Sequence, residues 1–204
     1  MQRKIVGRAI ALALTTAAVA GTVNAFADAS KEADVQVRVE AARQATAEFV
    51  KQLGGTMQRE MQAGGPAAAM KVCRDEAPRI ANEISLQKGW RITRVGTRVR
   101  NPMLGMPDAW EQGVLRAFEE RAVKGEKLED MAYFEVVEEP AGKSLRFMKA
   151  IGLAPQCLAC HGSSEQIAVP VRTRIQSLYP HDRAIGYKAG DLRGAVSIKQ
   201  PLES

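Results

Sequence analysis

The chain has 204 residues, 46% of them hydrophobic and 25% charged, with 29 Lys and Arg against 23 Asp and Glu. This is the balance of an ordinary globular protein, and it excludes a disordered or collagen-like polymer. The formal charge is +6, yet no basic stripe interleaved with aromatic residues runs along the chain, so nothing calls for nucleic acid.

The first 27 residues carry no acidic group. Arg3, Lys4 and Arg8 precede an apolar run from Ala9 to Gly21, and Ala25-Phe26-Ala27 closes the segment, the pattern of a cleavable secretory signal. The run is far shorter than the ~20 residues that span a bilayer, and no later segment is apolar enough to try. Residues 1–27 are therefore expected as a signal peptide and 28–204 as one exported, periplasmic-type domain with no membrane span. Removing the leader takes away three of the 29 basic residues and none of the 23 acidic ones, which leaves a net charge of +3.

Val35, Val39, Ala42, Ala45, Phe49, Leu53, Met57 and Met61 recur at steps of three and four, which predicts a helix over about 31–62 with a break or bend at Gly54-Gly55. Pro66 opens a second helix, whose apolar face carries Met70, Cys73, Ala77, Ile80 and Ile84. Pro78 should end or kink it. A strand follows from Trp90 to Gly96, then a loop rich in Pro and Gly to Pro107. Asp108 and Glu111 form a capping-box pattern that opens a helix through Trp110 and Phe118 to about Lys124. Met131–Val137 and Lys143–Ile151 read as strands around a turn at Pro140, a short helix should hold Val171–Leu178, and Gly190–Lys199 reads as a last strand.

Cys157-Leu158-Ala159-Cys160-His161 is the C-x-x-C-H pattern of covalent c-type haem attachment. Two thiols three residues apart can add to the two vinyl groups of one haem, and the next residue places an imidazole under the iron. Pro155 and Gly162 bracket the motif and suit a short helical turn. A thioredoxin-like dithiol belongs where a strand meets a helix early in a parallel fold, whereas this motif follows an apparent hairpin late in the chain. A disulfide is the next alternative. Zinc comes last, because four ligands are needed and only one closely spaced pair exists.

Cys73 is the third thiol and the candidate distal ligand, with a buried apolar role on its helix face as the competing reading. Lys71, Arg74 and Arg79 stand near it in sequence and would favour its thiolate form. His181 is the competing nitrogen donor, but Tyr179-Pro180-His181-Asp182 is turn-like and suits the surface. Arg91, Arg94, Arg98, Arg100, Arg146, Lys149 and Tyr187 are candidates to pair with haem carboxylates. Trp110 is read first as a core anchor, Asn101-Pro102 as a turn and Asp108 as an N-cap. All eight Met precede His161, so the pattern of small electron carriers, with the attachment motif first and a Met downstream, does not apply.

The stretches Met70–Pro78 with Ile80 and Ala81, Gly89–Ile92, Arg100–Pro102, Pro107–Glu111, Phe147–Ile151, Cys157–Gly162, Tyr179 through Asp182 to Tyr187, and Gly190–Ala195 cover most of the mature chain in one order. With them the sequence resembles the single-haem c-type domains of PAS-like fold, which occur alone or as the sensing part of membrane receptors. The resemblance implies an α+β domain, with a PAS-like antiparallel sheet, flanking helices and a long N-terminal helix. It also implies one covalent haem c on Cys157 and Cys160, with His161 and the helix cysteine matching Cys73 as axial ligands. The expected role is redox or small-gas sensing through the iron, with a diatomic gas as ligand and a separate redox or signalling protein as partner. The alternative is a periplasmic electron carrier, and an enzyme such as a peroxidase ranks last because His181 alone could supply acid-base chemistry.

Overall fold

The computed structural model describes residues 18–202, with side chains from Ser30 onward. The signal-peptide reading thus falls largely outside the described residues. The chain divides into two compact units, Met1–Val37 and Arg38–Ser204. The first is helical from Ala18, and the second holds the sheet and the remaining helices. Among the described residues no helix is long and apolar enough to cross a membrane.

Helix α1 spans Ala18–Lys71 and contains one interruption, at Gly64 (φ −147°) and Gly65 (φ +65°). The expected break at Gly54-Gly55 is therefore corrected: those glycines remain helical, their propensity cost carried by the turns on either side. The chain bends ten residues later because Pro66 disfavours helical geometry in the residue before it, and Gly65 can take a positive φ without strain. Met70, in the last turn of α1, is buried.

A π-helical turn, Val72–Glu76, links α1 to α2, Ala77–Lys88. Pro78 neither ends nor sharply breaks the rod. It sits in the first turn of α2, and the distortion is taken up just upstream, where the Ala77 N–H bonds to the Val72 carbonyl in the wider π register.

The described residues form one antiparallel sheet of order β1-β4-β3-β2, from Arg91–Gly96 (β1), Ala132–Glu139 (β2), Gly142–Gly152 (β3) and Leu192–Pro201 (β4). The α+β class expected from the sequence is the class the chain forms. β4, last in sequence, is inserted between β1 and β3, and its Ala195, Val196, Ser197 and Ile198 are buried there. β2 is an edge and carries Glu135, Glu138 and Glu139.

One face of the sheet, with Val95, Met148, Ala150 and Ala195, packs on Val114, Leu115 and Phe118 of α4, Ala109–Val123. The other meets the first two helices: Gln200 Nε2 donates to the Arg38 carbonyl at 2.9 Å, and the Ile92 N–H donates to Ser85 Oγ at 3.0 Å. A short helix not expected from sequence, α3 (Pro102–Gly105), is capped by Asn101, whose side chain accepts from the Met103 N–H at 3.1 Å.

The capping box at Asp108 and Glu111 forms as read. Burial alone would raise the Asp108 carboxyl, but the Arg146 guanidinium 2.7 Å away and the Glu111 and Trp110 N–H groups outweigh it and hold the carboxyl below its ordinary 3.8. A carboxyl depressed in the folded state adds stability above its ordinary pKa and loses it as the pH falls through the folded value. Asp108→Ala should cost about 1 kcal/mol at neutral pH, and the gap to wild type should close in thermal melts taken well below pH 3.8.

Candidate functional site

β3 leads through Leu153 and Ala154 into a 3-10 turn, Pro155–Cys157, and then α5, Leu158–His161. This short helical run puts Cys157 and Cys160 three residues apart on one side. Both are half-buried free thiols. Cys157 lies against Leu153, Ala184 and Tyr187, and Cys160 against Met70, Ile167, Val171 and Ile175, so the thiols anchor to two different apolar clusters. Burial pushes both thiols up, and the Cys73 thiol adds to the shift in each case; Arg100 works against it at Cys160. They stand as neutral S–H groups near pH 7.

His161 is held by the segment 184–187. Its Nδ1 lies 2.6 Å from the Ala184 carbonyl. A carbonyl only accepts, so Nδ1 carries the proton and Nε2 keeps a free lone pair. The His161 carbonyl accepts from Tyr187 N at 3.0 Å and the Gly162 carbonyl from Gly186 N at 2.7 Å. The Tyr187 ring meets the imidazole edge-on at 6.3 Å. Burial, then the charges of Arg100 and Arg193, push the His161 pKa down to about 2, with the Ala184 bond acting the other way. The ring is neutral at physiological pH.

Arg100 fastens this arrangement. Its Nη2 donates to the Cys160 carbonyl at 2.6 Å and to Ala184 O at 3.3 Å, and its Nε donates to Asp182 at 3.1 Å. The Arg100 and Asp182 side chains are 10% and 9% exposed, so the pair is nearly dry. Asp182 Oδ1 in turn accepts from Ala184 N at 2.7 Å.

Cys73 stands in the π-turn Val72–Glu76, half-buried. Eighty-four residues of chain separate it from Cys157, yet its thiol acts electrostatically on Cys157, Cys160, Tyr179 and Arg193. The buried Met70, one turn earlier, packs against α6 (Val169–Leu178) through Val171 and Ile175 and so brings the π-turn alongside the motif. Two of the three cations expected to favour a Cys73 thiolate are otherwise engaged: Arg74 pairs with Asp75 at 2.6 Å, and Arg79 with Glu76 and Glu83 at 2.7 and 2.5 Å.

A family model described as Tll0287-like matches residues 23–201. The chain belongs to the Tll0287-like family. Among solved structures it is similar to the crystal structure of the cyanobacterial heme-protein Tll0287, with a TM-score of 0.59 and 25% identity over 84% of this chain and 96% of that one. A search of curated proteins gave no match. The family match takes in Cys73, the Cys157–His161 motif and every residue of the 184–187 clamp.

Other candidate positions in this Tll0287-like chain separate by location. Arg91 and Arg146 share a register row with Lys199 on the sheet face covered by α4. Arg146 is there paired with Asp108, Glu111 and Glu139 and lies 4.4 Å from the Trp110 ring. Lys149 donates to the carbonyls of Glu129 and Met131. Strand register, a long-range property, decides where these three side chains go, and for Arg146 it adds the pairing with Asp108 and Glu111 at the start of α4. Trp110 donates to Glu135 at 2.8 Å and packs beside Tyr133, a core anchor as read. His181 is exposed on its turn. Arg98 is exposed and donates to the Ile185 carbonyl at 2.6 Å, and the buried Tyr187 hydroxyl is shared by Thr97 and the Arg98 N–H. Arg94 remains at the site, joined by Arg193, which the sequence reading missed. Its signal was a cation between Leu192 and Gly194, just ahead of the apolar Ala195-Val196.

Proposed function

We propose that this chain is an exported protein that binds one haem c, with thioether links at Cys157 and Cys160, His161 as the proximal ligand and Cys73 as the opposite ligand, and that it acts as a redox or small-gas sensor. The similarity to a protein described as a heme-protein supports the cofactor. The donor set fits it: two free thiols on one helical turn, a neutral imidazole with Nε2 left open, and a third thiol brought alongside. Attachment needs no oxidant, since each S–H adds across a vinyl double bond, sulfur to one carbon and hydrogen to the other. Zinc fits less well, because among the described residues no group of three or more His, Cys, Asp or Glu is arranged to hold a single ion. The PAS-like character of the domain, built on a sheet with helices on both faces, belongs to the same reading.

When bound, the haem supplies a one-electron change at iron and an axial position where ligands exchange. The protein's residues would set how it behaves. The Ala184 carbonyl fixes the His161 tautomer and raises the basicity of Nε2. Leu153, Tyr187, Ile167 and Ile175 exclude water around the motif. The observation that carries the sensor reading is the setting of Cys73: its thiol rides on a π-turn, a local irregularity that recurs at functional sites, whereas His161 is held at both its ring Nδ1 and its carbonyl. His161 would hold an iron from the firmly bonded side, and Cys73 would do so from the less regular backbone. A domain of this kind passes its state to a separate partner protein.

Spectra of the ferric and ferrous protein, with and without CO, test the role. The sensor reading expects a low-spin ferric form and a ferrous Soret band that shifts under CO. A loaded protein whose ferrous spectrum ignores CO would be an electron carrier instead.

A further inference from the structure

Building on the haem reading, we infer that Arg193 and Arg94 form the seat for the haem carboxylates, an anion site set into the β1–β4 strand pair. Gly96 and Gly194 face each other across that pair. A Cβ on Gly96 would lie 2.6 Å from Arg193 Nη1, and one on Gly194 would lie 2.0 Å from the Val95 carbonyl. The two missing side chains let the strands close and let the Arg193 guanidinium cross β1. There Arg193 Nη1 donates to the Arg98 carbonyl at 3.1 Å, and the guanidinium lies 5.4 Å from the centroid of the Tyr187 ring that abuts His161.

Both cations are half-buried without a carboxylate partner among the described residues. Arg74, Arg79, Arg100 and Arg146 each hold a carboxylate. Arg193 touches none, and half-buried Arg94 pairs with Val196 through its backbone while its side chain forms no ion pair among the described residues. Burial, with Arg94 and Arg100 adding to it, lowers the Arg193 pKa, the mark of a cation removed from water among like charges. Such a cluster is costly until an anion enters it. Arg193 reaches the motif through the Tyr187 ring that abuts His161, and Arg94 stands two residues before Gly96 on the same face of β1, so the anion belongs to whatever the motif holds. Haem carries two carboxylates, and a guanidinium fork matches each.

The test is a redox titration of the loaded protein as wild type, Arg94→Gln, Arg193→Gln and Arg193→Lys, with resonance Raman spectra of the carboxylate bending modes. Loss of either guanidinium should favour the ferric form, lowering the ferrous-to-ferric ratio at a fixed potential by about tenfold, and should shift a bending mode. Arg193→Lys should recover most of the ratio. If both Gln variants keep the wild-type ratio and Raman bands, the seat is not there. Should Arg193→Gln fail to fold, Arg94→Gln decides alone, since its side chain carries no ion pair among the described residues. A wild-type chain that takes up no haem overturns this assignment and the proposed function together, whereas a loaded chain with unchanged variants overturns the arginines only.

Discussion

Cys73→Ala should convert the loaded ferric protein from a low-spin form with a thiolate signature in electron paramagnetic resonance to a high-spin form, or to one with a different sixth ligand. Its midpoint potential should rise by at least about 60 mV, a tenfold change for one electron. The direction follows from charge: an anionic sulfur donor stabilises the ferric state more than the ferrous one. Packing narrows the choice of donor, since Met70, three residues before Cys73, shares an apolar cluster with Cys160, while His181 is exposed on its turn. The fold should tolerate the change, because Cys73 is only half-buried and the neighbouring Val72 and Met70 fill the core. Unchanged spin state and potential in Cys73→Ala would reduce the residue to packing, and His181→Ala would be the next substitution.

Arg100→Met should be the most damaging single change around the motif. It strips the Cys160 and Ala184 carbonyls of a donor and leaves Asp182 nearly buried without its partner. Breaking one side of such a pair costs about 3–5 kcal/mol, which for a domain of this size lowers the melting temperature by roughly 10 °C. Removing both charges, as Arg100→Met with Asp182→Leu, should recover much of that stability. It should not recover the site. Ala184 O is shared between Arg100 and His161, and the Ala184 N–H rests on Asp182, so the clamp on the imidazole loosens and the spectrum of the loaded double variant should remain altered. Equal recovery of stability and spectrum would make Arg100 merely structural.

These expectations separate what short-range patterns reveal from what they hide. The capping box at Asp108 and Glu111, the hairpin turn at Pro140 and the helical turn around Cys157–His161 depend on neighbours a few residues away, and the sequence displays all of them. The interruption at Gly64-Gly65 is legible as well, because Pro66 marks the start of a second helix, whereas Gly54-Gly55 suggests a break that the helix does not make. The π-turn was not, because an inserted residue in a helix is paid for by packing of Met70 and Val72 elsewhere in the fold. Arg146 looked like any other strand arginine until register set it opposite Lys199 and beside Glu111, and Arg193 gained its place only through a glycine on the facing strand. In each case the deciding partner lies tens of residues away.

Covalent attachment at Cys157 and Cys160 is the claim on which the rest depends, and intact mass spectrometry of the protein, produced with c-type maturation and then denatured, addresses it directly. The mass should be that of the mature chain plus one haem, lowered to at most one weakly retained link in Cys157→Ala or Cys160→Ala and absent in the double variant. A denatured wild-type chain with no added mass, or one lighter by two hydrogens from a Cys157–Cys160 disulfide, would contradict it.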